Sequence, residues 1–503
     1  MSLIPLDIPQ GVYKNGTELE AAGRWSDGSL VRWRDGSLRP VGGWEIRQDD
    51  SSPTNNVDVA VNAPRGMHAW ESQNGTVYLA AGSYNELKAV LASGTIYNIK
   101  PSSGFTNGIE SGTISNGYGN QSYGRNTYGT ARPSSGVRTE VTTWSMDNFG
   151  QYLIACSSAD GKILEWQLGA SSRAAALANA PINNLGCLVT EERFIFALGA
   201  GGNPRKVQWC DREASTTWAV ATTNEAGDLE LATSGQIMQG LRTRGQVLIL
   251  TDTDAHTARY IGPPYVYSFA RVGTSCGTIS RKAAVDTPAG TFWMGPKGFF
   301  VFNGNTVSEL PCEVYDHVFE DLLVGQQSKA WAWDNSQHGE VWWFYQSEAQ
   351  GNSGEIDKYV SYSYKDNYWS IGSLSRTAGI SRGLFQFPVL ADGDGLLYNH
   401  ELNTSGVSGA FAESGPIQIG AGDNVAHVTS VIPDEKSQGG VSLKFKTRFY
   451  PNAAETTHGP FTTANPTGVR FSGRQIKMRC DGTDGADFRV GVMRLETVPG
   501  GRR

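Results

Sequence analysis

Between about residues 65 and 405 the chain repeats one arrangement: a short apolar strand, a turn of Gly, Asn or Asp, a second strand, and then an aromatic residue. Stripes at helical spacing are almost absent here, so this stretch builds sheet. The first unit runs from Met67-His-Ala-Trp70 through Val77-Tyr-Leu-Ala-Ala81 to Thr95-Ile-Tyr-Asn-Ile99. The second has Trp144, Tyr152-Leu-Ile-Ala-Cys156 and Ile163-Leu-Glu-Trp166. Later units pair 193–197 with 207–209, 246–250 with 258–261, 291–294 with 299–302, and 340–345 with 358–364, and a last one ends at Tyr398. About seven units at the ~40–50 residue period of propeller blades predict an all-β chain with a β-propeller body. A β-sandwich also gives short strands at regular spacing and is the alternative architecture.

Two stretches interrupt the rhythm. Residues 104–136 are rich in Gly, Tyr, Asn, Ser and Thr and too poor in aliphatics for a core of their own, so they read as a long insertion loop. Residues 313–324 place Val314, Val318 and Leu322 on one stripe and predict a helix, as does the Ala-rich stretch 173–178. At the N-terminus Asp27-Gly28 and Asp35-Gly36, flanked by Trp25 and Trp33, predict hairpin turns, and with Trp44 a small β element. At the C-terminus residues 441–449 alternate strictly, with Leu443, Phe445 and Phe449 on one face and Lys444, Lys446 and Arg448 on the other. Residues 474–480, which carry Arg474, Lys477 and Arg479, repeat that alternation. The residues thus read as a small β element at the N-terminus, a propeller over 60–405, and a C-terminal half-buried antiparallel sheet with a cationic outer face.

Composition narrows the classes. Gly makes up 61 of 503 residues, about 12% against a usual ~7%, which suits many tight turns. The longest apolar runs, such as 194–198 and 247–250, are strand-length and far short of the ~20 residues of a membrane helix. The first residues lack a basic stretch followed by an apolar one, so the chain is expected to stay where it is made. Six widely spaced cysteines without a C-x-x-C pair are expected to be reduced and mostly buried. Net charge is −7, yet residues 441–503 carry eleven Lys or Arg against five Asp or Glu. An acidic body argues against tight binding to nucleic acid, with the basic tail as the exception.

Motifs for catalysis are thin. Ser157-Ser-Ala-Asp-Gly161 departs from a sialidase box, and there is no G-x-S-x-G elbow. The seven histidines show no paired metal spacing. Asp252-Thr-Asp254 with His256 is the densest polar cluster and reads as a turn, with cation coordination as the alternative. Gly199-Ala-Gly-Gly202 follows a strand, lacks the Lys-Ser/Thr of a phosphate loop, and is a turn. Trp342, Trp343, Tyr359, Tyr362, Tyr364 and Tyr368 would serve either a blade core or a sugar-stacking surface.

Several segments, in order, resemble the β-propeller tail nozzle or stem proteins of short-tailed bacteriophages, including those called packaged-DNA stabilisation proteins. They are Trp25-Ser-Asp-Gly-Ser-Leu-Val-Arg-Trp33 with Arg39-Pro-Val-Gly-Gly-Trp44, the Gly/Tyr run at 117–129, and Thr143-Trp-Ser-Met-Asp-Asn-Phe-Gly150. Further on come Gln208-Trp-Cys-Asp211 with Trp218, Phe292-Trp-Met-Gly295, Leu310-Pro-Cys312, Gly415-Pro-Ile417, Pro433-Asp434, Gly473-Arg-Gln-Ile-Lys-Met-Arg479 and Gly500-Gly-Arg-Arg503. The resemblance implies a virion structural protein, assembled in the host cytoplasm as a homohexameric ring below the portal and adaptor, in which the two chain ends, here 1–50 and 410–503, fold together as a β-sheet platform and 60–405 form the propeller body. It implies a role in extending the DNA channel, retaining packaged double-stranded DNA and opening for ejection, with no catalytic residues and no cofactor. Implied partners are the adaptor, a tail fibre or tailspike, and DNA that passes without sequence-specific binding. The basic residues Lys444, Lys446, Arg448, Arg474, Lys477, Arg479, Arg502 and Arg503 are the expected partner interface. A monomeric β-propeller lectin or glycan hydrolase is the competing expectation.

Overall fold

The computed structural model describes residues 2–49, 52–59, 62–114, 138–404, 406–419, 424–463 and 465–501. Alternating apolar strands closed by tight turns cannot bury both faces alone, and here they solve this by stacking seven four-stranded antiparallel sheets face to face. Blade 1 is Met67–Glu71, Val77–Gly82, Leu87–Leu91 and Ile96–Asn98; blade 2 is Trp144–Phe149, Tyr152–Ser157, Ile163–Trp166 and Ala175–Ala176. Blades 3 to 6 begin at Gly186–Val189, Ile237–Thr243, Ala284–Thr287 and Trp331–Asn335. Each continues through three more strands in chain order, as in blade 6 with Glu340–Tyr345, Lys358–Ser363 and Tyr368–Ser373. The first strands of neighbouring blades adjoin all the way round, including Ala378–Ile380 of blade 7 against Met67–Glu71 of blade 1, so the ring is closed.

Closure uses a strand from far away in the chain. Blade 7 has Ala378–Ile380, Val389–Ala391 and Leu397–His400, and its outer strand is Trp44–Ile46, antiparallel to Leu397–His400. Residues 44–46 therefore belong to the propeller and not to the N-terminal β element in which Trp44 was expected. The seam is packed as well as hydrogen-bonded. Trp44 stacks on His400 at 5.4 Å, and Arg376 donates to His400 Nε2 at 2.8 Å.

Aromatic residues fill the wedges between blades. Trp144 is fully buried between blades 1 and 2, where a Cβ on Gly82 would stand 2.6 Å from its ring. Blade 6 is the most aromatic, with Trp342 stacked on Tyr359 at 4.3 Å and both buried. Trp343, Tyr362 and Tyr368 are buried too and Tyr364 is half-buried, so this group is a blade core and offers no sugar-stacking surface.

The two ends of the chain build a two-sheet platform. One sheet has the order Ser2–Leu6, Met493–Pro499, Ala426–Ile432, Thr467–Gly473. The other runs Trp25–Ser29, Phe411–Ser414, Gln475–Gly482, Val441–Arg448, Thr456–Thr462. Leu443, Phe445, Met478, Val428, Phe471 and Leu495 are buried between them. Phe449 departs from the expected alternation: the strand stops at Arg448, and the ring is 46% exposed.

The platform is fixed to the propeller through the hairpin Val31–Arg34/Ser37–Pro40. Its turn is Asp35-Gly36, both at positive φ, the two-residue geometry that matches strand twist. The other expected turn, Asp27-Gly28, lies inside the strand Trp25–Ser29, where a register shift absorbs it. The hairpin is buried against blade 6, so its backbone groups need partners. Tyrosine and serine hydroxyls supply them: Leu30 N–H donates to Tyr359 at 2.9 Å, Trp33 N–H to Tyr368 at 3.1 Å, and Ser370 donates to the Val31 carbonyl at 3.1 Å. Arg32, buried, meets Glu340 of blade 6 at 3.1 Å and Glu401 beyond blade 7 at 2.5 Å. One continuous apolar core joins the platform to blades 5 and 6.

Two helix expectations turn out differently. The 313–324 stripe is helical only over Tyr315–Asp321, with Val314, Val318 and Leu322 buried as expected and the chain extended again at Leu322. Ala175–Ala176 is the edge strand of blade 2, paired with Leu164 and Glu165. Six residues are too few to nucleate a helix, and the open edge of the blade wins over alanine propensity. Of the long insertion, residues 104–114 are described, and Thr113–Ile114 pairs with Arg138–Thr139; residues 115–137 lie outside the described residues.

Candidate functional site

The alternation of residues 441–448 and 475–482 does place the basic side chains on one face of the platform, but it does not leave that face positive. Lys444 pairs with Asp481 at 2.9 Å, Lys446 with Glu413 at 2.6 Å, and Arg479 with Asp481 at 2.7 Å and Glu413 at 3.3 Å. Arg448 reaches Glu18 at 2.5 Å, while Lys477 meets Glu18 and, at 2.7 Å, Glu455. Five cations thus face four carboxylates, and Arg448 and Lys477 are buried. The expected cationic outer face is a nearly neutral ion-pair sheet, because Glu18 and Glu413 are brought in from parts of the chain that sequence spacing does not connect to it. Arg474 lies over the Tyr450 ring at 5.0 Å and Arg479 over Phe411 at 3.7 Å. Arg502 and Arg503 lie outside the described residues.

Near the propeller axis is a second site that the sequence does not signal. Edges of the innermost strands of blades 1 to 4 and the segment entering blade 5 enclose a cavity of about 270 Å³. His68, Ser145, Asp147, Cys187, Arg242 and Lys282 are among its walls. Asp147 is buried and fully engaged, accepting from Val189 N–H at 2.9 Å and from Arg242 Nη2 at 3.1 Å. Ser145 accepts from Cys187 N–H at 2.8 Å. Arg281 donates to Glu140 at 3.1 Å and to the Ile237 carbonyl at 2.9 Å.

Burial sets the protonation of this site. It pushes the Cys187 thiol up to about 12 and the Cys156 thiol well above its usual value, so both are protonated and unreactive at neutral pH. It also holds the His68 imidazole below its usual value, against the opposing pull of Asp147. The Lys282 amine, half-buried, is lowered by burial to about 8, with Cys187 and Asp147 resisting the shift. Its ammonium has no ion-pair or hydrogen-bond partner among the described residues, whereas both arginines do.

The remaining sequence candidates are structural. Asp252 and Thr253 form the turn between Gln246–Thr251 and Asp254–Gly262, with Asp254 N–H donating to Thr251 at 2.7 Å. Ala200–Gly202 is a single tight turn leading into Lys206–Trp209. Among the described residues no group of three or more His, Cys, Asp or Glu is placed to hold a metal, and no helix is long and apolar enough to cross a membrane.

No protein-family model matches the sequence, and no curated protein matches it. Solved structures match it at low identity and low TM-score. Virginiamycin B lyase from Staphylococcus aureus is 9% identical over 68% of this chain and 97% of its own, with a TM-score of 0.39. BamB from Moraxella catarrhalis is 11% identical over 80% of this chain and 96% of its own, with a TM-score of 0.34. PorZ from Porphyromonas gingivalis is 10% identical over 81% of this chain and 48% of its own, with a TM-score of 0.38. The chain's own sheets make it an all-β protein with a propeller body.

Proposed function

We propose that this protein is a non-enzymatic structural component of a short-tailed bacteriophage virion, a hexameric tail nozzle that extends and closes the DNA channel below the portal and adaptor. The observation that carries the reading is the build of the platform. Strands from both ends of the chain, Ser2–Leu6 and Met493–Pro499, pair in one sheet, and the Arg32 hairpin anchors the platform to blades 6 and 7. This is the division into end-built platform and propeller body that the sequence resemblance implies, and a body without a loose joint suits a part that bears load. The net charge of −7 is also apt for a conduit, because it disfavours retention of DNA phosphates along the path. A glycan-binding role loses its best surface with the burial of Trp342, Trp343 and Tyr359.

Electron microscopy and mass determination of the purified protein, alone and with a candidate phage's portal and adaptor, test the proposal. Sixfold rings docked beneath the adaptor are expected. A persistent 54.3 kDa monomer that never docks overturns it.

A further inference from the structure

We propose that the axial cavity is a binding site for a small oxyanion, a carboxylate or phosphate group, held by the Lys282 ammonium and by the guanidinium N–H groups of Arg242 that Asp147 leaves free. The inference stands apart from the nozzle reading.

Charge balance around the cavity carries it. The titratable groups lining the cavity around Lys282 are accounted for: Asp147 is matched by Arg242, Arg281 is paired with Glu140, the Cys187 thiol is protonated, and the His68 imidazole is kept neutral by burial. One positive charge is left, on Lys282, in a half-open pocket whose rim carries the exposed Arg242. A half-buried ammonium without a counter-charge carries part of the cost of its lost hydration, and an anion entering the cavity offsets it.

Space and donors agree with an anion. About 270 Å³ is far more than one water needs and accommodates an oxyanion with a short carbon substituent. Arg242 has five N–H donors and spends one on Asp147 at 3.1 Å, so a planar or tetrahedral oxyanion can be shared between it and Lys282. Leu188 and Leu198 form an apolar wall on the Gly240 side, where an added Cβ would come within 2.3 Å of Leu188. That wall favours a ligand with an apolar end. A cation would meet three basic side chains there and no free carboxylate.

Reductive methylation of the intact protein tests the site with neutral formaldehyde, the anionic cyanoborohydride being held at one low, fixed concentration in every arm. The neutral amine adds to the aldehyde and loses water to give an iminium, which hydride from cyanoborohydride reduces to the N-methyl amine. Peptide mass spectrometry at pH 7.5 should find Lys282 methylated about tenfold or more faster than the surface lysines. Inorganic phosphate or acetate should slow that reaction severalfold. Protection by phosphate alone assigns a phosphate ligand, and protection by acetate a carboxylate. In Arg242→Gln the amine should stay reactive while protection weakens, which separates anion binding from general burial. Labelling no faster than at surface lysines, no protection by either anion, or equal protection by chloride at matched ionic strength overturns the proposal.

Discussion

Removing the charge at Lys282 should make the ligand-free protein more stable, although the substitution alters a long side chain in the cavity wall. In Lys282→Met most of the aliphatic stem is kept and only the ammonium is lost, and that ammonium has no partner among the described residues. The folded protein holds this amine at about 8 against an ordinary 10.5, a difference that corresponds to roughly 3 kcal/mol. The side chain is only half-buried, and discounting for solvent screening leaves about 1–2 kcal/mol at pH 7. The pH dependence is specific. Because the folded value is depressed, the unfolded chain binds more protons between about 8 and 10.5, so the cost is complete below 8 and fades as pH rises through that window. Urea denaturation of wild type and variant in an anion-poor buffer should show Lys282→Met more stable at pH 7, with the gap falling by about half or more at pH 10. A variant less stable than wild type at pH 7, or a gap independent of pH, refutes the reasoning.

Three further outcomes follow from the packing. Glu401→Gln leaves Arg32 partly uncompensated in the core and should cost about 3 kcal/mol in urea unfolding. Burial favours the neutral Glu401 carboxyl, but Arg32 overrides it and holds the carboxyl well below the usual value, so the stability it supplies above 4.5 is lost as pH falls below that value, and the variant should show a shallower acid loss. Glu413→Ala strips Lys446 and Arg479 of their shared carboxylate and should cost about 1–3 kcal/mol, part of it recovered at high salt as the two cations are screened. Gly82→Ala drives a methyl into the buried Trp144 ring between blades 1 and 2, and thermal unfolding should register a loss of about 1–3 kcal/mol.

What could be read from the residues was local. The blade strands fall where the apolar runs at 77–81, 152–156, 291–294 and 340–345 put them, because a two-residue period and the turn chemistry between strands are written within a dozen residues. Partnerships across hundreds of residues leave no such trace. Trp44 looks like the end of an N-terminal β element until its pairing with His400 is seen. The charges of Lys446 and Lys477 look free until Glu413 and Glu18 arrive beside them. The axial cavity is less legible still, since its walls are short runs from four separate blades and the segment entering a fifth, and Lys282 sits in no motif. Ala175 and Ala176 show the opposite error, a local propensity overruled by an unfilled sheet edge.

The seam at Trp44–Ile46 also dictates an order of events during synthesis. Its partner, Leu397–His400, leaves the ribosome about 350 residues later, which at ~5–20 residues per second is roughly 20–70 s. Through that interval the ring is an open arc, with the blade 1 flank uncovered and the Trp44 strand waiting beside it. Ser2–Leu6 waits longer, for Met493–Pro499. The earliest-made segments are thus the last to find their places, so the nascent chain carries two unpaired strands and an unsealed apolar flank that other copies on the same message can capture. Dense translation should therefore favour strand exchange between neighbouring chains, and slow initiation should favour correctly closed rings.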